Sequence, residues 1–141
     1  MIDMPQFNAD VMATAPEIGL AVGAMLLLLI GAFGGDKSSG LVTWATVAVL
    51  VAVAALVTMG EGTVHAFGGT VVVDPFARFA KLTVLTGAAI ATLMSLDYLR
   101  DEKLMRFEYP LLVALATLGM LVMISANDLI VLYVGLELQS L

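Results

Sequence analysis

An all-α fold, a polytopic bundle of transmembrane helices, is what this sequence predicts, on three observations. Its residues are 61% hydrophobic and 13% charged, with mean hydropathy +1.05. Soluble domains run at roughly 45–50% apolar and about 25% charged. The apolar residues gather into runs near the length of about 20 that crosses a hydrocarbon core of ~30 Å. Lys and Arg fall mainly between those runs.

Five segments qualify as spans or begin to. The first covers 12–33, with Pro16 and Glu17 in its opening turn, where a proline and an acid are both tolerated. It is too long for a signal-peptide core, and no basic residue precedes it; the leader carries Asp3 and Asp10, so it reads as a retained helix. The second span covers 41–59, the third 76–99 and the fourth 109–124. The fifth starts at Leu129 and reaches Leu141, the last residue. That stretch rises only about 20 Å, too little to cross, so the sequence reads as the N-terminal part of a single, longer membrane domain.

Lys37 lies between spans one and two, and Arg100, Lys103 and Arg106 lie between spans three and four. The other two loops carry no Lys or Arg. The positive-inside rule therefore places the first and third loops in the cytoplasm and the N-terminus outside. Arg78 and Lys81 stand against this pattern, in the first turns of span three on the outer side. They either snorkel outward or face the protein interior. In the second loop, Thr70 to Val73 reads as an extended piece of a hairpin.

Lipid offers little hydrophobic drive between helices, so small residues mark packing faces. Ala15, Gly19 and Gly23 share a face of span one; Gly87, Ala88 and Ala91 mark span three; Ala45, Ala48, Ala52 and Ala55 mark span two. The 9 methionines read as adaptable filler rather than a cofactor site.

Glu137 is the residue that points to chemistry. It stands in an apolar run about 12 Å along the fifth helix, near mid-membrane. A charge there costs about 2.5–3.5 kcal/mol on insertion scales, which a chain tolerates where the group meets a partner or a wet cavity. Tyr133 and Ser140 lie one turn away on the same face. The three make a polar stripe suited to a switchable acid, which is what a proton relay requires. The competing reading is a glutamate that only holds helices together. Lys81 is the nearest basic residue, but it lies shallow, so the partner of Glu137 is expected beyond residue 141. Asn127 and Asp128 read as a helix N-cap, with an acidic mouth for cations as the alternative. Asp74 caps span three ahead of Pro75, and Arg78 stands at i,i+4 to pair with it.

Other chemistries find little support. The chain has 0 cysteines and 1 histidine, so thiolate chemistry is excluded and no metal or cofactor site is indicated; His65 reads as an exposed loop residue. The net charge of −6 gives no support to nucleic-acid binding. Neither phosphate-binding nor dinucleotide-binding glycine motifs occur.

Two runs suggest a family. One joins Tyr109-Pro-Leu-Leu-Val to Ser125-Ala-Asn-Asp-Leu-Ile-Val-Leu-Tyr-Val-Gly-Leu-Glu-Leu-Gln-Ser-Leu141; the weaker one is Asp74-Pro-Phe-Ala-Arg-Phe-Ala-Lys81. Together they resemble the antiporter-like proton-pumping subunits of respiratory complex I. That resemblance implies about fourteen helices, of which five lie here. It also implies that Glu137 matches the fifth-helix glutamate of the proton channel, which works with a lysine on the seventh helix. The implied function is that of a membrane-arm subunit coupling NADH:quinone oxidoreduction to proton translocation. NADH, FMN, Fe–S clusters and quinone are then expected in other subunits, with no redox chemistry in this chain. The implied partners are the other membrane subunits and the lipid bilayer. Two alternatives remain: a subunit of a multi-subunit cation/proton antiporter, and a non-transporting scaffold.

Overall fold

The computed structural model describes residues 4–140. Asp3 and Leu141 lie outside the described residues. The elements, in chain order, are α1 (Met4–Ala13), α2 (Ala15–Gly34), α3 (Ser39–Thr58), β1 (Val64–Ala66), β2 (Val71–Val73), α4 (Pro75–Asp101), α5 (Glu108–Ser125) and α6 (Leu129–Ser140). The all-α expectation holds, with one short hairpin added.

The expected first span is divided. Residues 12–13 belong to α1, and α2 opens only at Ala15. The physical reason is Pro16, which has no N–H to give back to the preceding turn and disfavours the helical region for Ala15. The break is bridged by Thr14, whose hydroxyl donates to the carbonyl of Asp10 at 3.1 Å, while its own carbonyl accepts from Ile18 N–H at 3.0 Å.

Ala15–Thr58 forms one apolar stretch of 44 residues, but it doubles back. Gly35 has φ 62 and ψ −159 and donates its N–H to the carbonyl of Gly31; an L side chain is strained in that conformation. A 3-10 turn over Gly35–Ser38 then leads into α3. The two helices lie antiparallel on the face marked by Gly19 and Gly23. A Cβ on Gly19 would meet Leu56 Cδ1 at 3.5 Å, and one on Gly23 would meet Val49 Cγ1 at 2.7 Å. The other two small-residue stripes hold only at Ala45 and Ala88, which pack against the core. Ala48, Ala52 and Ala55 are exposed, and a Cβ on Gly87 would meet nothing within 4 Å. These residues face away from the described chain, because α3 packs on α2 and α4 through Leu50, Val53 and Val57 instead.

The core runs through α2, α3, α4 and α5 and is centred on Leu20, Leu27, Val42, Leu50, Leu85 and Leu121. Three of its buried threonine hydroxyls are satisfied within their own helices. Thr46, Thr92 and Thr117 donate to the carbonyls of Val42, Ala88 and Val113 at 2.8, 2.7 and 2.7 Å. This is the way a hydroxyl is accommodated where water is absent. α4 and α5, at mean hydropathies of 1.6 and 1.7, are also long and apolar enough to cross a membrane.

Asp74 caps α4 as expected: its Oδ1 accepts from Ala77 N–H at 2.6 Å, ahead of Pro75 in the first turn. Asp74→Ala is expected to cost about 1 kcal/mol, read as a lower unfolding midpoint of the full-length protein in detergent. At the other end, Lys103 sits at φ 55, and the Leu104 N–H reaches back to the carbonyl of Leu99 at 2.9 Å, closing the helix.

The hairpin pairs Val64 with Val73 and Ala66 with Val71. It is tied to the junction of α5 and α6. Asn127 N–H donates to Thr70 O at 2.9 Å and its side-chain amide to Gly69 O at 2.8 Å, and Val71 bridges Ala126.

α6 joins the bundle through α5 alone at close range. A Cβ on Gly119 would stand 2.5 Å from Gln139 N and 2.7 Å from Gly135 O; one on Gly135 would stand 3.0 Å from Gly119 O. The two backbones touch at this pair, the kind of approach that drives helix association in lipid.

Candidate functional site

Two carboxylates stand in apolar helices, Glu17 on α2 and Glu137 on α6. Glu137 stands on α6, whose sole buried residue is Gly135, the contact with α5. Glu137 itself is exposed, and Tyr133 one turn before it is 62% exposed. The polar stripe expected from sequence is only partly formed: the Ser140 hydroxyl turns back to donate to the backbone carbonyl of Glu137 at 3.0 Å rather than to its carboxylate. The carboxylate thus lies on the face of α6 that turns away from α5. That face also carries Ile130 and Tyr133, both exposed.

Asp128 takes the N-cap role at the start of α6. Its Oδ1 accepts from Ile130 N–H at 2.8 Å, and its carbonyl accepts from Leu132 N–H at 3.0 Å. That geometry is the N-cap read from the sequence.

Lys81 faces the interior rather than snorkelling. It is 1% exposed and forms an ion pair with Glu17, itself 9% exposed. Among the described residues it is the one ion pair. Lys81 therefore serves Glu17, not Glu137. Sequence reasoning passed over Glu17 as a first-turn acid. The signal available was a matching pair of opposite charges, each just inside the start of an apolar helix. Arg78 does not pair with Asp74; its Nη1 donates to the carbonyl of Gly62 at 2.7 Å, pinning the loop after α3. His65 is exposed on β1.

The Glu17–Lys81 pair allows a sharp test. A buried pair that loses one partner leaves an uncompensated charge, at a cost of about 3–5 kcal/mol, whereas exchange of both for apolar groups of similar volume is often neutral. Lys81→Met is expected to reduce the amount of folded full-length protein in membranes severalfold, and Glu17→Leu added to it is expected to restore the level, both by immunoblot.

No family model matches the chain. Curated relatives match along nearly all of it. NADH-quinone oxidoreductase subunit N 1 of Rhizobium meliloti is 47% identical over 133 residues, 94% of this chain and 28% of the relative. Subunit N of Paramagnetospirillum magneticum is 51% identical over 133 residues, 94% of this chain and 27% of the relative.

Along nearly all of its length the chain is similar to NADH-quinone oxidoreductase subunit N. The resemblance to the complex I subunits is borne out, with subunit N as the relative matched. The architecture agrees: a chain in the structure of respiratory complex I from Thermus thermophilus with bound Aureothin superposes with TM-score 0.74 at 30% identity, over 89% of this chain and 27% of that one. The chain spans about a quarter of the length of the curated relatives it matches, at 28% and 27%.

Proposed function

We propose that this chain forms part of a membrane-arm subunit of a redox-driven proton pump, coupling NADH:quinone oxidoreduction to proton translocation. The observation that carries the reading is Glu137: an intramembrane carboxylate held on the outward face of a helix whose inner face is locked to α5 by glycine contact. In a bilayer that carboxylate needs a partner or water, and it is the default candidate for an ion pathway. Its relatives are named as subunits of NADH-quinone oxidoreductase, which supports the coupling.

In this reading Glu137 takes up and releases a proton as the charge opposite it changes position. Tyr133, one turn away, flanks the path. The partner cation lies on a helix beyond residue 141. NADH, FMN, Fe–S clusters and quinone bind to other subunits of the complex. The other membrane subunits and the lipid are the neighbours, in a bacterial inner membrane with the N-terminus periplasmic. The alternative of a separate cation/proton antiporter predicts a different company. Affinity purification of the tagged full-length protein from membranes is expected to bring NADH:quinone oxidoreductase activity with it. Purification without that activity, under conditions that keep the complex intact, contradicts the reading.

A further inference from the structure

A cavity of about 450 Å³ lies at the outer end of the bundle, between α1, the start of α2, the end of α3, the hairpin and α4. Lys81 lines it, with Pro16, the residue before Glu17, beside it. The charged groups facing it are Arg78 and Lys81 from α4 and Glu61 from the loop after α3; the other lining side chains are apolar. Arg78 is already engaged with Gly62. A water molecule needs about 30 Å³, and it needs polar partners. The volume holds several, and Lys81 supplies donors.

Behind Lys81 stands Glu17. One carboxylate oxygen, Oε1, accepts from Lys81 Nζ. The other, Oε2, is buried and has no hydrogen-bond partner among the described residues. A buried acceptor left unmade is costly, and a buried ion pair is by itself weak evidence for a stabilising role. An arrangement that keeps a free carboxylate oxygen beside a lysine at the wall of a cavity suits proton exchange better than adhesion.

We propose that Glu17 and Lys81 form a second proton-binding site of this subunit, wetted from the outer side through this cavity. The step is a relay. Lys81 Nζ passes the proton of its hydrogen bond to Glu17 Oε1, and the neutral amine takes a replacement from a hydronium ion in the cavity, which leaves as water. The pair goes from lysinium–carboxylate to lysinium–carboxylic acid, with one proton bound. Release runs the same steps in reverse. This site lies on helices other than that of Glu137, and it does not rest on the role proposed for Glu137.

The test uses the full-length subunit in the assembled complex, in proteoliposomes. Val57, 3% exposed and on the cavity wall, is replaced by cysteine. A membrane-impermeant thiosulfonate applied to the outer face is expected to label Val57→Cys well above the wild-type background, and an unlabelled Val57→Cys overturns the proposal. In parallel, Glu17→Gln is expected to lower the protons moved per NADH oxidised at least twofold. Glu17→Leu/Lys81→Met, which leaves no unpaired charge, is expected to show the same loss. A double variant that assembles and moves wild-type numbers of protons overturns the proposal and leaves the pair as a structural clamp. Where neither variant assembles, the labelling alone decides. Glu137→Gln measured alongside judges the other site separately, so failure of one is distinguishable from failure of the other.

Discussion

Gly119→Leu in the full-length protein is expected to abolish the packing of α6 on α5 and to leave little assembled complex in the membrane. The argument is geometric. Even the first carbon of a side chain at Gly119 would stand 2.5 Å from the amide nitrogen and 2.9 Å from the Cα of Gln139. Both are backbone atoms, so no rotamer change relieves the clash, and the two helices must separate. Overpacking of a well-fitted core costs about 1–3 kcal/mol, and the interface forced apart here is the one that holds α6. Gly119→Ala is expected to show a weaker version of the same effect. Gly87→Ala is the control: its added Cβ meets nothing, and removing a glycine from a helix interior is worth roughly 0.5–1 kcal/mol in favour of the fold. The measurement is the midpoint of heat-induced loss of intact complex on native gels, expected lower than wild type for both Gly119 variants and at or above it for Gly87→Ala.

Glu137→Gln is expected to behave oppositely, with assembly intact and turnover impaired. The residue is exposed on α6 and makes no side-chain hydrogen bond with the described residues, so its replacement by a neutral isostere disturbs little packing. A glutamine cannot take up and release a proton, and a relay that depends on a positioned acid fails without it. Quinone reduction coupled to that relay is expected to fall severalfold, while Glu137→Asp, which keeps the acid on a shorter stem, is expected to retain an intermediate rate. Tyr133→Phe is expected to have a smaller effect than Glu137→Gln.

Helices were legible in the sequence wherever one periodic apolar run met a clear stop. Asp74 before Pro75 and Asp128 before Leu129 announced α4 and α6, because capping is a local matter of a few residues. α1 was not legible: residues 4–11 carry no long apolar run, and they form a helix packed beside β1. The alanine stripe of α3 misled because small residues tell only that a backbone can be approached, not that it is. Gly119 and Gly135 carried the opposite lesson; each is a lone glycine in its span, and only the antiparallel register sets them against each other.

The site was legible in part for the same reason. Glu137 stood out because a charge in an apolar run is conspicuous in one dimension. Glu17 and Lys81 did not, since their partnership joins positions 64 residues apart and each alone looked like an ordinary interfacial charge. Ser140 looked like a neighbour of the carboxylate, yet its hydroxyl found the nearer backbone carbonyl, the usual competitor for a serine within a helix.

The central claim is that Glu137 belongs to a proton path driven by NADH oxidation. The decisive measurement is made in inverted membrane vesicles carrying the full-length Glu137→Gln protein, with NADH oxidation and proton uptake recorded together and assembly checked on native gels. Both rates well below wild type, in a complex assembled to wild-type levels, is the predicted result. Both rates at wild-type level would contradict it and would leave Glu137 as a residue that only binds helices together.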